Sequence, residues 1–269
     1  MIHWLIARYG ESDAIDALAA AVARSGAPVT VAKCVPFGGV EEYPQFGVGE
    51  RVFFVGPIFS VARIAQAGAW RPGVWYDEGV FACHTYYGYW ARFILQRRFA
   101  LLPLGVLMDR AESVYAAFER GGEIFIRPDS SLKLFDAERV AYEHFQRFLA
   151  TMTNAEISPA TLVVVSEPVD LGAEYRLVFR RGEYVTGSMY RNEDRAVERR
   201  PDVPEEVIAF GREVASRPIP GLPPVYCLDV GVTADGARLV ELTSINAAGY
   251  YACDLDKVVG AVNVEAESL

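Results

Sequence analysis

Two carboxylates near the C-terminal end, Asp229 and Glu241, constrain the fold of this chain more than any other pair of residues. They lie on two short apolar runs, residues 226–232 and 237–242, which are joined by Ala234-Asp235-Gly236. A three-residue turn that ends in glycine is typical of a β-hairpin. Counting back from this turn pairs Asp229 with Glu241, so both carboxylates project from one face about 5 Å apart.

Like charges that face each other destabilise a sheet unless they share a proton or bind a divalent cation. We therefore interpret the pair as a magnesium site. The alternative is a solvated hairpin face, because a two-residue turn would shift the register by one and move Glu241 to the apolar side. In the predicted register the apolar side is formed by Leu228, Val230, Val240 and Leu242.

Composition excludes several classes of protein. The 269 residues are 52% hydrophobic and 23% charged, which is typical of a folded protein with one large or two small cores. A net charge of -9 argues against a nucleic-acid partner, because such binding needs a concentrated basic surface. No run approaches the roughly 18 apolar residues of a membrane span, and no signal peptide is recognisable. We expect a cytoplasmic protein with no membrane partner.

The cysteines and histidines give little material for catalysis or metal binding. The four cysteines are scattered without Cys-x-x-Cys spacing and are expected to be buried free thiols: Cys34, Cys83, Cys227 and Cys253. The three histidines, His3, His84 and His144, form no zincin motif. Cys83 and His84 are adjacent, but a catalytic pair must meet in space, so we favour a packed thiol at Cys83.

Residues 1–108 alternate short apolar runs with helical patterns, which favours a small α/β domain with parallel strands. The predicted strands are 3–7, 29–32, 52–55 and 101–107, and the predicted helices are 13–25, 58–67 and 110–120. Residues 75–90 form an aromatic stretch. We interpret it as packing between domains; the alternative is a substrate pocket.

Near residue 108 the pattern changes to longer antiparallel elements, so we place a domain boundary there. The predicted strands are 123–128, 162–166, 174–179 and 183–190, the predicted helices are 138–152, 205–216 and 254–264, and residues 191–201 are predicted as a loop. The fold class is therefore α/β (α+β), with antiparallel sheets and helices preceded by a small α/β domain.

The common nucleotide motifs are absent. There is no Gly-x-x-x-x-Gly-Lys-Ser/Thr, and Gly47-Val48-Gly49 lacks the third glycine of a dinucleotide fingerprint. What remains is a set of charged residues at strand ends: Arg127, Lys133, Arg176, Asp229 and Glu241. Cations that face a metal pair suit a triphosphate with its magnesium, although each cation taken singly is better explained as a surface charge.

In this order the chain resembles the ATP-grasp superfamily, most closely the small phage-like and bacterial clade in which arginine replaces the lysine of the phosphate-binding strand. The resemblance covers roughly residues 120–262 and is carried by Phe125-Ile126-Arg127-Pro128, the loop 130–133, Val164-Val165-Ser166-Glu167-Pro168, Glu174-Tyr175-Arg176, Leu228-Asp229-Val230, Leu239-Val240-Glu241-Leu242 and Asn246-Ala247-Ala248-Gly249-Tyr250-Tyr251.

The resemblance implies an N-terminal domain over residues 1–108 and an ATP-grasp region over residues 109–269, with ATP and Mg²⁺ as cofactors. It implies nucleotide contacts from Arg127 and Lys133 to the phosphates, from Ser166, Glu167 and Pro168 to adenine, and from Glu174 to the ribose. The implied metal ligands are Asp229 and Glu241, with Asn246 reaching a second ion. The implied catalytic residues are Arg176 and Arg127, and Arg176 would contact the transferred phosphoryl group or the acceptor carboxylate.

The implied activity is an ATP-dependent ligase that joins a small-molecule or peptide carboxylate to an amine, or less often to a thiol, through an acylphosphate. Two departures from the family pattern bear on catalysis: Thr243 stands where an asparagine is usual, and Cys227 where many ligases have arginine. A small-molecule kinase and a non-catalytic nucleotide-binding module are therefore kept as alternatives. Homodimerisation is left open.

Overall fold

A computed structural model of the protein describes residues 1–8, 10–34, 46–152 and 156–268. Its contacts divide the chain into two units, of which the first combines Met1–Val80 with Leu171–Leu269 and the second is Phe81–Asp170. The predicted domain boundary near residue 108 stays a prediction. The compact units divide the chain at other positions.

The N-terminal part of the first unit is a three-stranded parallel sheet. Its strands are β1 (His3–Arg8), β2 (Val29–Lys33) and β3 (Val52–Val55), in the order β2-β1-β3. Helix α1 (Asp13–Arg24) connects β1 to β2, and α2 (Ile58–Ala67) follows β3. The parallel pairing and these five elements are confirmed. The elements could be predicted because each has a strong apolar period of its own.

The second unit is built on a four-stranded antiparallel sheet. Its elements, after the short helix α3 (Glu78–Phe81), are α4 (Cys83–Trp90), β4 (Phe99–Pro103), α5 (Leu104–Asp109), α6 (Ala111–Phe118), β5 (Glu123–Pro128), β6 (Glu138–Ala141), α7 (Phe145–Thr151) and β7 (Leu162–Ser166). The strand order is β4-β7-β5-β6. One face of the sheet packs on a core that includes Ile124, Ile126 and Phe148.

Two predictions in this unit are wrong. The strand predicted at 101–107 ends at Pro103, after which the chain continues as α5. The helix predicted at 138–152 begins as β6, which pairs Glu138–Ala141 with β5. Pairing with the open edge of β5 satisfies backbone hydrogen bonds there, and this tertiary requirement overrides the helical propensity of the segment.

The aromatic stretch 75–90 lies largely in protein interior. Trp75 contacts Phe53 with ring centroids 5.0 Å apart, inside the core of the first unit. Tyr86, Tyr87 and Trp90 are at most 2% exposed and belong to the second unit. This burial favours packing over a substrate pocket.

The rest of the first unit is a five-stranded antiparallel sheet in the order β10-β9-β8-β11-β12. Its strands are β8 (Glu174–Arg180), β9 (Glu183–Arg191), β10 (Val197–Arg200), β11 (Val225–Thr233) and β12 (Gly236–Ser244). The prediction of a loop over 191–201 is wrong in part, since β10 pairs with β9. Polar residues such as those of β10 form a strand when an unpaired edge is available.

Two helices cover the five-stranded sheet. Helix α8 (Glu205–Ala215) packs closely on one face, where a Cβ atom added to Gly211 would be 2.5 Å from a methyl group of Leu177. Helix α9 (Leu255–Glu267) shares a core with α1 and with Cys227. The face with Cys227 also carries Asp229, because side chains alternate along a strand.

Candidate functional site

The hairpin of β11 and β12 pairs Asp229 directly with Glu241, as the sequence predicts. The predicted three-residue turn is nevertheless wrong, because Thr233 pairs with Gly236 and only two residues lie between them. A register shift between Asp229 and Val230 adds one residue to β12 and restores the predicted pairing. The two carboxylates therefore share one face of the sheet.

The same bulge changes the apolar side of the hairpin. Leu239, and not Val240 as predicted, lies opposite Val230 and is fully buried. Val240 lies over Gly231, where its Cγ2 atom would be 3.1 Å from an added Cβ atom. An added Cβ atom would meet Leu171 even more closely, at 2.5 Å, so the packing around Gly231 leaves no room for a side chain.

Arg176 lies opposite Asp229 on β8 and binds it with two hydrogen bonds. Its Nε donates to Oδ1 at 2.8 Å and its Nη2 to Oδ2 at 2.6 Å, while Nη1 donates to the carbonyl of Gly249 at 2.8 Å. Burial alone lowers the pKa of the Arg176 guanidinium, but the charge and hydrogen bonds of Asp229 raise it well above its ordinary value. Arg176 therefore stays charged and fixes the orientation of the Asp229 carboxylate.

Two stacked tyrosines lie beside this ion pair. The rings of Tyr190 and Tyr251 are 4.9 Å apart at an interplanar angle of 17°, and the guanidinium carbon of Arg176 is 5.8 Å and 5.0 Å from their centroids. Tyr251 has a φ of 52°, a left-handed conformation that a bulky residue adopts only when its surroundings impose it. The loop is held in this shape by Gly249 and by Ala252, whose N–H donates to Ser188 Oγ at 3.1 Å.

Glu174 is a second buried acid of the five-stranded sheet, on the strand that carries Arg176. It is 5% exposed, and its Oε2 accepts from the Tyr190 hydroxyl at 2.8 Å. Its Oε1 accepts from Arg195 and lies 3.7 Å from Nε of Arg191. Burial, followed by the charges of Asp229 and Glu174, raises the pKa of Tyr190 well above its ordinary value, so this hydroxyl remains a hydrogen-bond donor.

The contacts of Asn246 favour a structural role over the predicted metal contact. Its side chain is fully buried, Nδ2 donates to the carbonyl of Phe54 at 2.6 Å, and Oδ1 accepts from the N–H of Trp75 at 2.8 Å. The Ser244 hydroxyl also lies 3.4 Å from Oδ1. Since an asparagine binds a metal through Oδ1, a metal would have to displace these donors.

Cys227 and Thr243 are paired across β11 and β12. Cys227 is fully buried, and burial raises the pKa of its thiol, so it stays neutral and cannot supply the positive charge that an arginine would. Thr243 Oγ1 is buried and has no hydrogen-bond partner within the described part of the chain. It follows Glu241 by two residues, so both side chains lie on one face of β12.

The donor set fits a magnesium ion that is bound together with a nucleotide. Among the described residues, no group of three or more His, Cys, Asp or Glu side chains could hold a metal ion. Two carboxylates on one face are, however, the usual protein contribution to Mg²⁺, whose other ligands are water and phosphate oxygens. Arg176 keeps Asp229 oriented, and the unsatisfied Thr243 hydroxyl offers one more polar group on the same face.

The predicted phosphate contacts belong to the second unit. Arg127 lies on β5 opposite Val164, and alternation along the strand places it on the face away from the core residues Ile124 and Ile126. Lys133 is exposed and has a φ of 55°, so the loop after β5 turns sharply at this residue. Both cations lie at or beyond the same end of β5.

The predicted adenine contacts lie at the end of β7, the strand between β4 and β5. Ser166 is fully buried and donates to the carbonyl of Glu167 at 3.1 Å. Pro168 accepts a hydrogen bond from Arg120 at 3.2 Å. Asp170 follows, and its hydrogen bond to Arg139, aided by the charge of Arg120, lowers the pKa of its carboxyl group.

Sequence reasoning missed two relationships in these groups. The first is the stack of Tyr190 and Tyr251, which no spacing in the sequence indicates. The second joins His84 to Asp129, whose Oδ2 lies 2.7 Å from the ring Nδ1. Asp129 directly follows the phosphate-strand motif, and this position could have indicated a site residue. No pattern in the sequence indicates its partner His84, which lies 45 residues earlier.

Comparison with known proteins identifies a family. The family model for an ATP-grasp domain, family 3 of its clade, matches residues 109–262, which is more than half of the chain. A sequence search of curated proteins finds no significant match.

Solved structures show the same fold at low sequence identity. The D-cycloserine synthetase DcsG is 16% identical with a TM-score of 0.66, over 98% of this chain and 99% of that one. The RimK domain ATP-grasp protein of Sphaerobacter thermophilus is 12% identical with a TM-score of 0.62, over 97% and 99% of the two chains. The D-alanine–D-alanine ligase of Bacillus anthracis is 11% identical with a TM-score of 0.57, over 98% and 93% of the two chains.

None of the described helices is long and apolar enough to span a membrane.

Proposed function

Because this chain belongs to a family of ATP-grasp domains and has the ATP-grasp fold, we propose that it is an ATP-dependent ligase. It would join the carboxylate of a small molecule or peptide to an amine or, less often, to a thiol. The observation that carries the proposal is the pairing of Asp229 with Glu241 on one face of β11 and β12, with Arg176 fixing Asp229. This arrangement suits a nucleotide with its magnesium.

In the proposed site Asp229 and Glu241 hold Mg²⁺, while Arg127 and Lys133 contact the phosphates. Ser166, Glu167 and Pro168 contact adenine, and Glu174 accepts hydrogen bonds from the ribose hydroxyls. When bound, Mg²⁺ neutralises phosphate charge and orients the transferred group. We leave Asn246 out of the ligand set, because its Oδ1 already accepts the Trp75 N–H.

The proposed reaction has two steps. A substrate carboxylate oxygen attacks the γ-phosphorus of ATP, the bond to the β-phosphate oxygen breaks, and an acylphosphate and ADP result. An amine then attacks the acyl carbon, inorganic phosphate leaves, and the nitrogen loses a proton to give an amide. The protein contributes mainly positioning and charge stabilisation, because phosphoryl transfer needs little covalent assistance.

Arg176 has a narrower role in this proposal than the sequence predicts. Each of its three side-chain nitrogens already donates a hydrogen bond, two to Asp229 and one to the Gly249 carbonyl. We therefore propose that Arg176 is a positioning residue, which orients a metal-binding carboxylate and joins it to the loop that carries Tyr251. Arg127, on the face of β5 that points away from Ile124 and Ile126, remains the candidate for direct contact with the transferred phosphoryl group.

The experiment measures ADP release from Mg·ATP with panels of carboxylates and amines, with the condensed product identified by mass spectrometry. We expect ADP and an amide in equal amounts, with turnover lost in Glu241→Gln. The matched control is Asp235→Asn, which removes an exposed carboxylate from the turn of the same hairpin. Full turnover in Glu241→Gln would refute the metal assignment.

The environment of Cys227 favours one competing function, a nucleotide-binding module without ligase activity. A neutral, fully buried thiol lies where many ligases of the superfamily carry an arginine. This alternative predicts tight binding of Mg·ATP with no ADP release on any substrate panel. Amide formation on any carboxylate would exclude it.

A further inference from the structure

The side chain of His84 is fixed by Asp129. Asp129 Oδ1 accepts the backbone N–H of His84, and Oδ2 accepts the ring Nδ1, both at 2.7 Å. An ionised carboxylate only accepts hydrogen bonds, so Nδ1 carries the hydrogen and the tautomer is defined. The other ring nitrogen, Nε2, has no hydrogen-bond partner in the parts of the chain that the structure describes.

The two side chains differ sharply in exposure. The imidazole of His84 is 47% exposed, whereas the carboxylate of Asp129 is only 7% exposed. His144 provides the contrast, because its nearest acid, Glu143, is 4.0 Å away and both are largely exposed. A half-exposed imidazole held at two points by a buried acid has lost the freedom of an ordinary surface histidine.

The position of the pair indicates what His84 contacts. Asp129 follows Pro128, the last residue of β5, and lies two residues beyond Arg127. The backbone also joins the two segments, since the N–H of Cys83 donates to the carbonyl of Asp129 at 2.9 Å. The first turn of α4 thus carries His84 to the end of β5 from which the loop to Lys133 starts.

We propose that His84, positioned by Asp129, is a further contact to the nucleotide phosphates, through Nε2. This inference rests on the proposed function, because it adds a third phosphate contact to those of Arg127 and Lys133. In the imidazolium form Nδ1–H bonds Asp129 and Nε2–H bonds a phosphate oxygen, so both acceptors receive charge-assisted hydrogen bonds. Asp129 acts through His84 and does not contact the nucleotide.

The competing explanation is that Asp129 only fastens the start of α4 to the end of β5. His84→Asn separates the two, because the asparagine amide can still donate to Asp129 from the position of Nδ1 but has no atom at Nε2. His84→Gln extends its amide toward the position of Nε2 and is the partial rescue. His144→Asn is the matched control.

The first test is calorimetric titration with Mg·AMPPNP, a non-hydrolysable ATP analogue, with melting temperatures measured in parallel. We expect His84→Asn to raise Kd about 10-fold at an unchanged melting temperature, which corresponds to one charge-assisted hydrogen bond. His84→Gln should recover part of the affinity, and His144→Asn should bind as the wild type does. Wild-type affinity in His84→Asn would overturn the inference and leave the proposed function intact.

A second measurement does not depend on any variant's stability. With three histidines in the chain, the imidazole nitrogens can be resolved by long-range ¹H–¹⁵N correlation spectra. Addition of Mg·AMPPNP should shift the Nε2 resonance of His84 and leave His144 unchanged. No shift at His84 when the nucleotide binds would overturn the inference alone, whereas no nucleotide binding at all would overturn the proposed function and this inference with it.

Discussion

Arg176 and Asp229 face each other across β8 and β11 and form a buried ion pair with two hydrogen bonds, of 2.8 Å and 2.6 Å. The two side chains are 6% and 4% exposed. The pair holds a carboxylate at a defined position next to Glu241. In the proposed site it is this orientation, and not a contact from Arg176 to substrate, that prepares Asp229 to bind magnesium.

The ion pair gives a prediction about stability. Arg176→Met leaves Asp229 buried without compensation, and we expect the free energy of unfolding to fall by about 3–5 kcal/mol. Urea denaturation followed by tryptophan fluorescence measures the change. Adding Asp229→Leu to Arg176→Met should recover most of the loss, because an apolar pair in place of a buried ion pair is often neutral.

The control for that prediction is an exposed pair in the same unit. Nη2 of Arg24 and Oδ1 of Asp256 are 2.8 Å apart, and the two side chains are 58% and 63% exposed. Arg24→Met should cost less than about 1 kcal/mol, because solvent screens exposed ion pairs. Equal costs for the Arg24 and Arg176 variants would contradict the assignment of Arg176 as the residue that compensates a buried charge.

Glu174 gives a prediction about nucleotide selectivity. If its carboxylate accepts hydrogen bonds from the ribose hydroxyls, the wild type should bind Mg·ATP about 10- to 100-fold more tightly than Mg·2′,3′-dideoxy-ATP. This ratio corresponds to the free energy of a hydrogen bond to a charged group. Glu174→Gln should reduce this preference below about 3-fold. Calorimetric titration of both nucleotides measures it. Glu198→Gln, on the edge strand β10 of the same sheet, is the control, and an unchanged preference in Glu174→Gln would remove Glu174 from the ribose site.

Buried thiols and phenols give a prediction about alkaline pH. Burial raises the pKa of Cys253 from 9.0 to about 12, and that of Tyr184 from 10.0 to about 12. Between these values the unfolded chain has lost protons that the folded protein still binds, so the free energy of unfolding falls as pH rises. The full contribution is present below pH 9.0. Urea denaturation at intervals from pH 7 upward tests this, and constant stability to pH 11 would contradict it.

Local patterns in the sequence predict the elements that have a period of their own. The bounds of β3, α2, β5 and β7 are confirmed to the residue. Segments whose conformation depends on a distant partner were not predictable: β6 and β10 are strands only because an open sheet edge lies beside them. Such edges exist only once the sheets have formed.

The candidate site divides in the same way. The pairing of Asp229 with Glu241 is confirmed, although a two-residue turn and a bulge together produce it. The shorter turn and the bulge each shift the register by one residue in opposite directions, so counting along the sequence cannot detect either of them. The Asp129–His84 pair and the Tyr190–Tyr251 stack join residues far apart in the chain, and no local pattern specifies such contacts.

A thermal-shift titration with AMPPNP most directly tests whether Asp229 and Glu241 bind magnesium together with a nucleotide. The wild type, Glu241→Gln and Asp235→Asn are compared with and without Mg²⁺; Glu241→Gln is preferred to Asp229→Asn because it leaves the Arg176 ion pair intact. We expect a magnesium-dependent rise in melting temperature in the wild type and in Asp235→Asn, and its loss in Glu241→Gln. The same magnesium-dependent rise in all three proteins, or none in the wild type, would contradict the account.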